Sequence, residues 1–352
     1  MHTRSCLCLG ALLLALGEAV HFGVASAAQP RPLPELLVRK AAGLSAADMR
    51  ALESGVAVVR SLNTPVRQEF AHVGAVHIDA PYGRFLERFR DIERFERGPG
   101  VPQIGRFGTP PHLDDLASLI LPAADVKALA ACRPGACDVQ LQAAAISRFQ
   151  TEVNWPSPDA AHRVNEITRA VLLDLVRAYQ TEGNTALGHY HDSGEPLAVA
   201  EQFRALLASS AELPIPVPDL IAFLDDYPRR RPTGAEDFLY WTVVDFGLKP
   251  TIRVNHVTVY PLAPGSPAAY AIAIKQLYAS HYFHSTLELR FLIDDGRPDR
   301  RGFWLLSVTR SRNDGTTGFT GLLLRPIISR RSRDAVRGYL EHVKRQVERP
   351  AL

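Results

Sequence analysis

The sequence is poor in cysteine and carries no familiar catalytic pattern. Its 352 residues include four cysteines, two methionines and three tryptophans. It has no GxSxG, HExxH, Walker A or GxGxxG pattern, which excludes the usual signatures of α/β-hydrolases, zinc proteases, P-loop NTPases and dinucleotide-binding proteins. The formal net charge is only +3, and no nucleic-acid-binding motif is recognisable. We therefore predict no cofactor and no nucleic-acid partner.

Long apolar runs are confined to the N-terminus. A basic start with Arg4 precedes an apolar run over residues 6–16, and Ala25, Ser26 and Ala27 form a small-residue cleavage site. This pattern predicts a signal peptide over residues 1–27, cleaved near Ala27. No later stretch approaches the roughly 18 apolar residues of a membrane span. The mature chain is expected in the periplasm or secreted.

Two cysteines, Cys132 and Cys137, remain after the leader. Because exported proteins meet an oxidising environment, a disulfide between them is the favoured prediction. The alternative is a metal-binding pair, but no second pair completes a tetrahedral site. His189 and His191 could share a face only in an extended segment and lack an obvious third ligand. No metal site is predicted.

The mature chain divides into three parts by composition. Residues 28–156 mix helix and strand patterns, residues 157–233 are helical and punctuated by proline, and residues 234–352 read as strands followed by a helix. The first and third parts are expected to form one composite domain, with 157–233 as an insertion or lid. The predicted class is α+β.

The strand-like block over residues 251–312 organises the chain. Short turns separate its strands, which indicates an antiparallel meander. The apolar alternation changes phase between Ala279 and Tyr282, around His281. A β-bulge beside a site and two strands joined by a tight bend both explain such a change. A final helix over 332–348 is expected to bury an apolar stripe against the sheet.

Two segments of the sequence, one near its start and one at its end, resemble a known superfamily. Residues 76–95 read as a strand ending in DAP followed by a helix, and the closing strands precede a long helix. They resemble the START-like, helix-grip (SRPBCC-type) ligand-binding superfamily. The resemblance implies a curved antiparallel sheet gripped by the C-terminal helix. It also implies a cavity between them for a lipid or another apolar ligand.

A polar constellation is predicted on neighbouring strands, flanked by aromatic residues. Its histidine and tyrosine side chains could act as general acid and base, or bind a polar head group. The aromatics are equally typical of a core. The candidate ligand-binding residues are His256, Lys275, Tyr278, His281, Trp241 and Trp304, with Tyr190 as a further lining residue.

The C-terminal part is locally cationic. Residues 296–345 contain 12 lysines and arginines against four acidic residues. Arg330, Arg331 and Arg333 lie near the expected start of the last helix, where cations oppose the helix dipole and a bound anion would relieve the conflict. They form a candidate anion-binding site with an anionic lipid surface as a partner. The alternative is a solvated cationic face.

Three functions remain open from the sequence. The first is an exported binding protein for an apolar or amphipathic ligand such as a lipid. The second is an enzyme that acts on such a ligand through histidine and tyrosine acid-base chemistry. The third is a docking protein for anionic envelope surfaces.

The leader gives a first testable prediction. Expressed with its own N-terminus in a bacterial host, the chain is expected to lose residues 1–27, because the small residues before position 28 suit the signal peptidase. Intact mass and fractionation of periplasm from cytoplasm check this. A full-length mass in the cytoplasmic fraction would contradict it.

The cationic segment gives a second prediction. Replacing Arg330, Arg331 and Arg333 together by Gln is expected to weaken binding to vesicles of anionic lipid by roughly 1 kcal/mol per arginine at the surface. Co-sedimentation with anionic vesicles measures the effect, and neutral vesicles are the control. Equal binding by the variant and the unaltered protein would exclude a docking role for these arginines.

Overall fold

The computed structural model describes residues 38–40, 43–64, 66–210, 213, 215–245, 247–266, 268–296, 302–314 and 318–350, and the backbone alone for 318–324. These residues belong to one compact unit, Pro32–Leu352. The predicted leader, residues 1–27, lies outside the described residues.

Eight of the described strands form one antiparallel sheet, and two short ones form a separate pair. The strands are β1 (Val58–Leu62), β2 (Glu69–Ile78), β3 (Gln103–Arg106), β4 (His189–Tyr190), β5 (Leu197–Ala198), β6 (Glu236–Val244), β7 (Thr251–Pro261), β8 (Tyr270–Ala279), β9 (Phe283–Asp294) and β10 (Phe303–Asn313). The order in the large sheet is β1-β2-β10-β9-β8-β7-β6-β3. Consecutive strands β6 to β10 are neighbours, as a meander requires.

The pairing of β2 with β10 joins the two ends of the chain. It runs without a shift from Phe303 opposite Ile78 to Arg312 opposite Glu69. Strands before and after the helical middle third therefore share one sheet. The prediction of an α+β fold with a curved antiparallel sheet, a long C-terminal helix and helices in the middle is confirmed.

Helices cover both faces of the sheet. They are α1 (Ala46–Glu53), α2 (Tyr82–Arg90), α3 (Ile92–Glu96), α4 (Ala123–Leu129), α5 (Ala143–Glu152), α6 (Ala160–Glu182), α7 (Val199–Ser210), α8 (Pro218–Asp225) and α9 (Gly318–Glu348). Helices α2, α3 and α9 pack on one face, and α1 with α4 to α8 pack on the other. The middle third thus forms a layer against the sheet.

The C-terminal helix lies directly on the sheet. Leu340, Val343 and Val347 are fully buried. A Cβ added at Gly74 of β2 would lie 2.7 Å from Cδ1 of Leu340, closer than real Cβ contacts allow. Glycine at this position therefore lets the helix approach the strand.

The expected start of this helix at residue 332 is wrong. The helix begins at Gly318 and continues through Pro326. Proline removes one backbone donor and usually ends or kinks a helix, so the sequence pattern suggested a later start. Arg330, Arg331 and Arg333 therefore lie inside the helix, and the argument from a helix N-terminus does not apply to them.

The predicted interruption near His281 is a turn between β8 and β9. Residues 280–282 form it, and Tyr282 has a φ of 65°. A bulge also exists, but slightly earlier. The β7–β8 register changes between Val254, opposite Tyr278, and Asn255, opposite Gln276, so Leu277 has no partner. Such an extra residue sets two consecutive side chains on one side of a strand.

Among the described residues, no helix combines the length and the apolar character that crossing a bilayer would take.

Candidate functional site

Two members of the predicted constellation, His256 and Lys275, lie directly opposite each other on β7 and β8. Tyr179 of α6 connects them, because its hydroxyl lies 2.9 Å from Nδ1 of His256 and 3.2 Å from Nζ of Lys275. Nε2 of His256 lies 3.0 Å from Oδ2 of Asp237. Nζ of Lys275 also donates to Oδ1 of Asn184. These residues form a buried polar chain.

This buried polar chain of side chains is closed to ligands. The side chains of Tyr179, His256 and Lys275 are fully buried. Burial lowers the pKa of Lys275 and of His256 well below their ordinary values, and burial raises the pKa of Tyr179. The ammonium form of Lys275 has no carboxylate within ion-pair distance among the described residues, and Phe203 covers it at 4.1 Å from the ring centre. Burial therefore favours the neutral amine over the ammonium form.

The two predicted tryptophans lie in separate parts of the core. Trp241 is fully buried on β6, and its Nε1 donates to the carbonyl of Asp115 at 2.8 Å. Trp304 is on β10, three strands from β7, and packs edge-on against His77 at 4.7 Å between ring centres. They do not line one pocket with His256.

A cleft opens between α5 and α6, on the face of the sheet opposite α9. Its volume is about 260 Å³. Aliphatic side chains of both helices form its walls, and Leu277 and Tyr278 of β8 form its floor with Tyr190. The bulge explains this floor, because it turns two consecutive residues toward the same helices. The lining residues are Leu141, Gln142, Ala144, Ala145, Arg148, Val171, Leu172, Asp174, Leu175, Ala178, Ala186, Leu187, Tyr190, Leu277 and Tyr278.

The two tyrosines of the floor differ in their hydrogen bonds. The Tyr190 hydroxyl accepts from the backbone N–H of Ala279 at 3.1 Å. The Tyr278 hydroxyl has no hydrogen-bond partner among the residues that the structure describes. Burial raises the pKa of both side chains, so both are neutral hydroxyls. Tyr278 therefore offers a free donor beside the cleft.

Charged side chains stand at the rim. Arg148 donates from Nε to Glu152 at 2.8 Å and lies 3.5 Å from Asp174. These groups are partly exposed, so solvent screens their attraction. The cleft therefore combines an apolar interior with a polar entrance.

The disulfide lies next to the floor. Cys132 and Cys137 are bonded, as predicted. Within their loop, the N–H of Gly135 donates to His191 at 2.6 Å, and the N–H of Cys137 donates to Asp192 at 2.8 Å. The closed loop thus holds the segment that directly follows Tyr190.

His281 is buried with a partner that the sequence did not reveal. Its Nε2 lies 3.0 Å from Oδ1 of Asp125 of α4. Both side chains are at most 4% exposed. The spacing of the sequence does contain a clue to the burial of Asp125. It lies four residues before buried Leu129 and four after buried Leu121, so the helical period places it at a core position.

Tyr179 was missed for a different reason. Along α6, Val171, Leu175 and Ala178 are apolar residues at helical spacing. The structure turns these toward the cleft and buries neighbours such as Val176 and Tyr179 instead. A helix with apolar residues on more than one face leaves its orientation undecided until it packs.

The other predicted groups remain separate from the cleft. Arg330 is well exposed and lies 3.8 Å from Asp334, which also approaches Arg333 at 4.0 Å. The rings of His189 and His191 are 6.4 Å apart. No group of three or more metal-ligating side chains is present in the described part of the chain.

Comparison with known proteins assigns no family to this chain. No protein-family model matches this chain, and no curated protein matches it. One similar solved structure is the Zhui aromatase/cyclase from Streptomyces sp. R1128, which is 14% identical with a TM-score of 0.25. The match covers 43% of this chain and 85% of that chain. A similarity of this degree carries no argument about function.

The enclosed Lys275 predicts a pH dependence of stability. Burial lowers the pKa of Lys275 in the folded protein, whereas an unfolded lysine keeps its proton to about pH 10. Unfolding takes up a proton, so this residue makes the free energy of unfolding rise with pH, by up to about 1.4 kcal/mol per pH unit. Lys275→Met is expected to remove this slope between pH 7 and 9 and to raise stability at pH 7. Urea unfolding measures both.

The exposed Lys127 on α4 provides the matched control. Lys127→Met is expected to leave the slope unchanged, since this side chain is exposed in the folded protein. Parallel pH profiles for Lys275→Met and the unaltered protein would show that Lys275 is charged in the fold.

Proposed function

We propose that this protein is an exported binding protein for a small apolar or amphipathic molecule, held in the cleft between α5 and α6. The observation that carries the proposal is the cleft itself, with aliphatic walls and a floor of two tyrosines. A concave apolar site with a few polar groups is the usual form of a small-molecule site.

The lining indicates the chemistry of the ligand. Val171, Leu172 and Leu175 on α6 face Leu141 and Ala145 across the cleft. Removing such surface from water contributes about 25 cal/mol per Å². An apolar body therefore gains most of its affinity from these walls. The volume of about 260 Å³ lies just below the usual range of roughly 300–1,000 Å³, which favours a single ring system or a short chain.

The rim supports an amphipathic ligand. Arg148 and Asp174 of the entrance already approach each other at 3.5 Å. A polar head group at the entrance stays hydrated and meets donors and acceptors of both kinds, while the apolar body lies inside. A long lipid chain would extend beyond a cleft of this size.

The disulfide supports an exported setting. A bond between Cys132 and Cys137 persists in oxidising compartments such as the periplasm. Because the disulfide loop contacts His191 and Asp192, next to Tyr190, an oxidising compartment also preserves the floor of the cleft.

A bulky substitution tests the cleft. Ala178→Phe places a ring in the space between α5 and α6 and is expected to weaken binding of the apolar fluorophore N-phenylnaphthylamine at least tenfold, because the ring occupies the volume that the fluorophore needs. Fluorescence titration measures the affinity, and circular dichroism checks the fold. The matched control is Ala161→Phe, an exposed position on the same helix, which is expected to bind as the unaltered protein does. Equal affinity in both variants would place any binding outside the cleft.

A further inference from the structure

A second, much smaller space lies behind the floor of the cleft. Its volume is about 10 Å³, close to the minimum that holds one water molecule. Tyr278 and Leu141 line both spaces. Asp125 and Ser280 add polar groups to the inner chamber.

Asp125 presents one carboxylate oxygen to this region without a protein donor. Its Oδ1 lies 3.0 Å from Nε2 of His281. Its Oδ2 is buried and accepts no hydrogen bond from any described residue. A buried carboxylate oxygen without a donor is costly, and a chamber of one-water size beside it points to a water as the missing donor.

The hydrogen-bond inventory of the chamber gives this water an orientation. The Ser280 hydroxyl already accepts the N–H of Ile252 at 3.0 Å, so its proton is available to the water. The carboxylate of Asp125 only accepts, which takes one proton of the water. Thr168 donates its hydroxyl proton to the carbonyl of Val164 at 2.9 Å, so its oxygen and that of Tyr278 are the acceptors left for the other proton of the water. When that proton goes to Tyr278, the Tyr278 hydroxyl accepts from inside and its own proton points toward the cleft.

We propose that Tyr278 donates this hydrogen bond to an acceptor oxygen of the ligand, and that Asp125 and His281 act through the water as positioning residues. The inference rests on the proposed function, because it needs a ligand in the cleft. It names the ligand class: a small apolar body that carries a carbonyl oxygen. Burial keeps the pKa of Tyr278 raised, so the hydroxyl stays protonated and remains a donor.

Two probes of the same shape test the donor. Acetophenone carries a carbonyl where α-methylstyrene carries a methylene group. Competition with N-phenylnaphthylamine gives the affinity of each for the purified protein. The unaltered protein is expected to prefer acetophenone by roughly three- to tenfold, the usual effect of one hydrogen bond. Tyr278→Phe is expected to abolish the preference and keep the affinity for α-methylstyrene.

A tyrosine outside the cleft provides the control. Tyr240→Phe alters a buried tyrosine on the opposite face of the sheet and is expected to retain the preference. If Tyr278→Phe keeps the preference as Tyr240→Phe does, the assignment of the donor is overturned.

Asp125→Asn tests the positioning role at nearly constant shape. The amide would turn its carbonyl to His281 and an N–H to the water, so the water would lose its acceptor. The hydrogen bonds of the water are then completed when Tyr278 donates its proton inward to the water and not outward into the cleft. The acetophenone preference is expected to disappear, and the infrared carbonyl band of bound acetophenone is expected to return to higher wavenumber. An equal loss of affinity for both probes would overturn the positioning role.

The remaining outcomes separate the two proposals. If both probes displace the fluorophore equally from the unaltered protein, the cleft binds apolar molecules and the Tyr278 donor is refuted. If neither probe displaces it and Ala178→Phe leaves fluorophore binding unchanged, the cleft is not a binding site and both proposals fall.

Discussion

The pairing of β10 with β2 is the contact on which the rest of the structure depends. It joins residues more than 200 positions apart in the chain, without a register shift from Phe303 to Arg312. Loop closure over such a distance costs entropy that many cooperative backbone hydrogen bonds and buried side chains have to offset. Once it forms, the sheet is eight strands wide and apolar on both faces. Both faces then require a layer of helices.

The two layers meet the sheet differently. On one face, Gly74 leaves room for Leu340 of α9 directly on β2. On the other face, a cleft opens between α5 and α6 above the bulge in β8, and Leu277 and Tyr278 occupy its floor. The superfamily resemblance predicted the curved sheet and the long C-terminal helix, and the cleft lies on the face of the sheet opposite that helix.

Buried polar groups divide into two kinds in this fold. Lys275 and His256 are enclosed by Tyr179, Asn184, Asp237 and aromatic rings, so their proton equilibria are linked to folding and reach no ligand. Asp125 and His281 are equally buried, but a water-sized chamber and one tyrosine connect them with the cleft. The sequence analysis grouped His256 and His281 in one site because they were expected on neighbouring strands. The residues that contact them, Tyr179 of α6 and Asp125 of α4, are far away in the chain.

Local patterns determined much of this architecture. Period-2 alternation predicted the meander strands, the short spacing of Cys132 and Cys137 predicted their disulfide, and the phase change predicted an interruption near His281. Each of these depends on neighbours within a few residues. Register, helix orientation and the cleft depend on contacts between distant segments, which periodicity does not encode. Only tertiary packing could decide that Tyr278 faces α6, because one unpaired residue, Leu277, reverses every side chain that follows it.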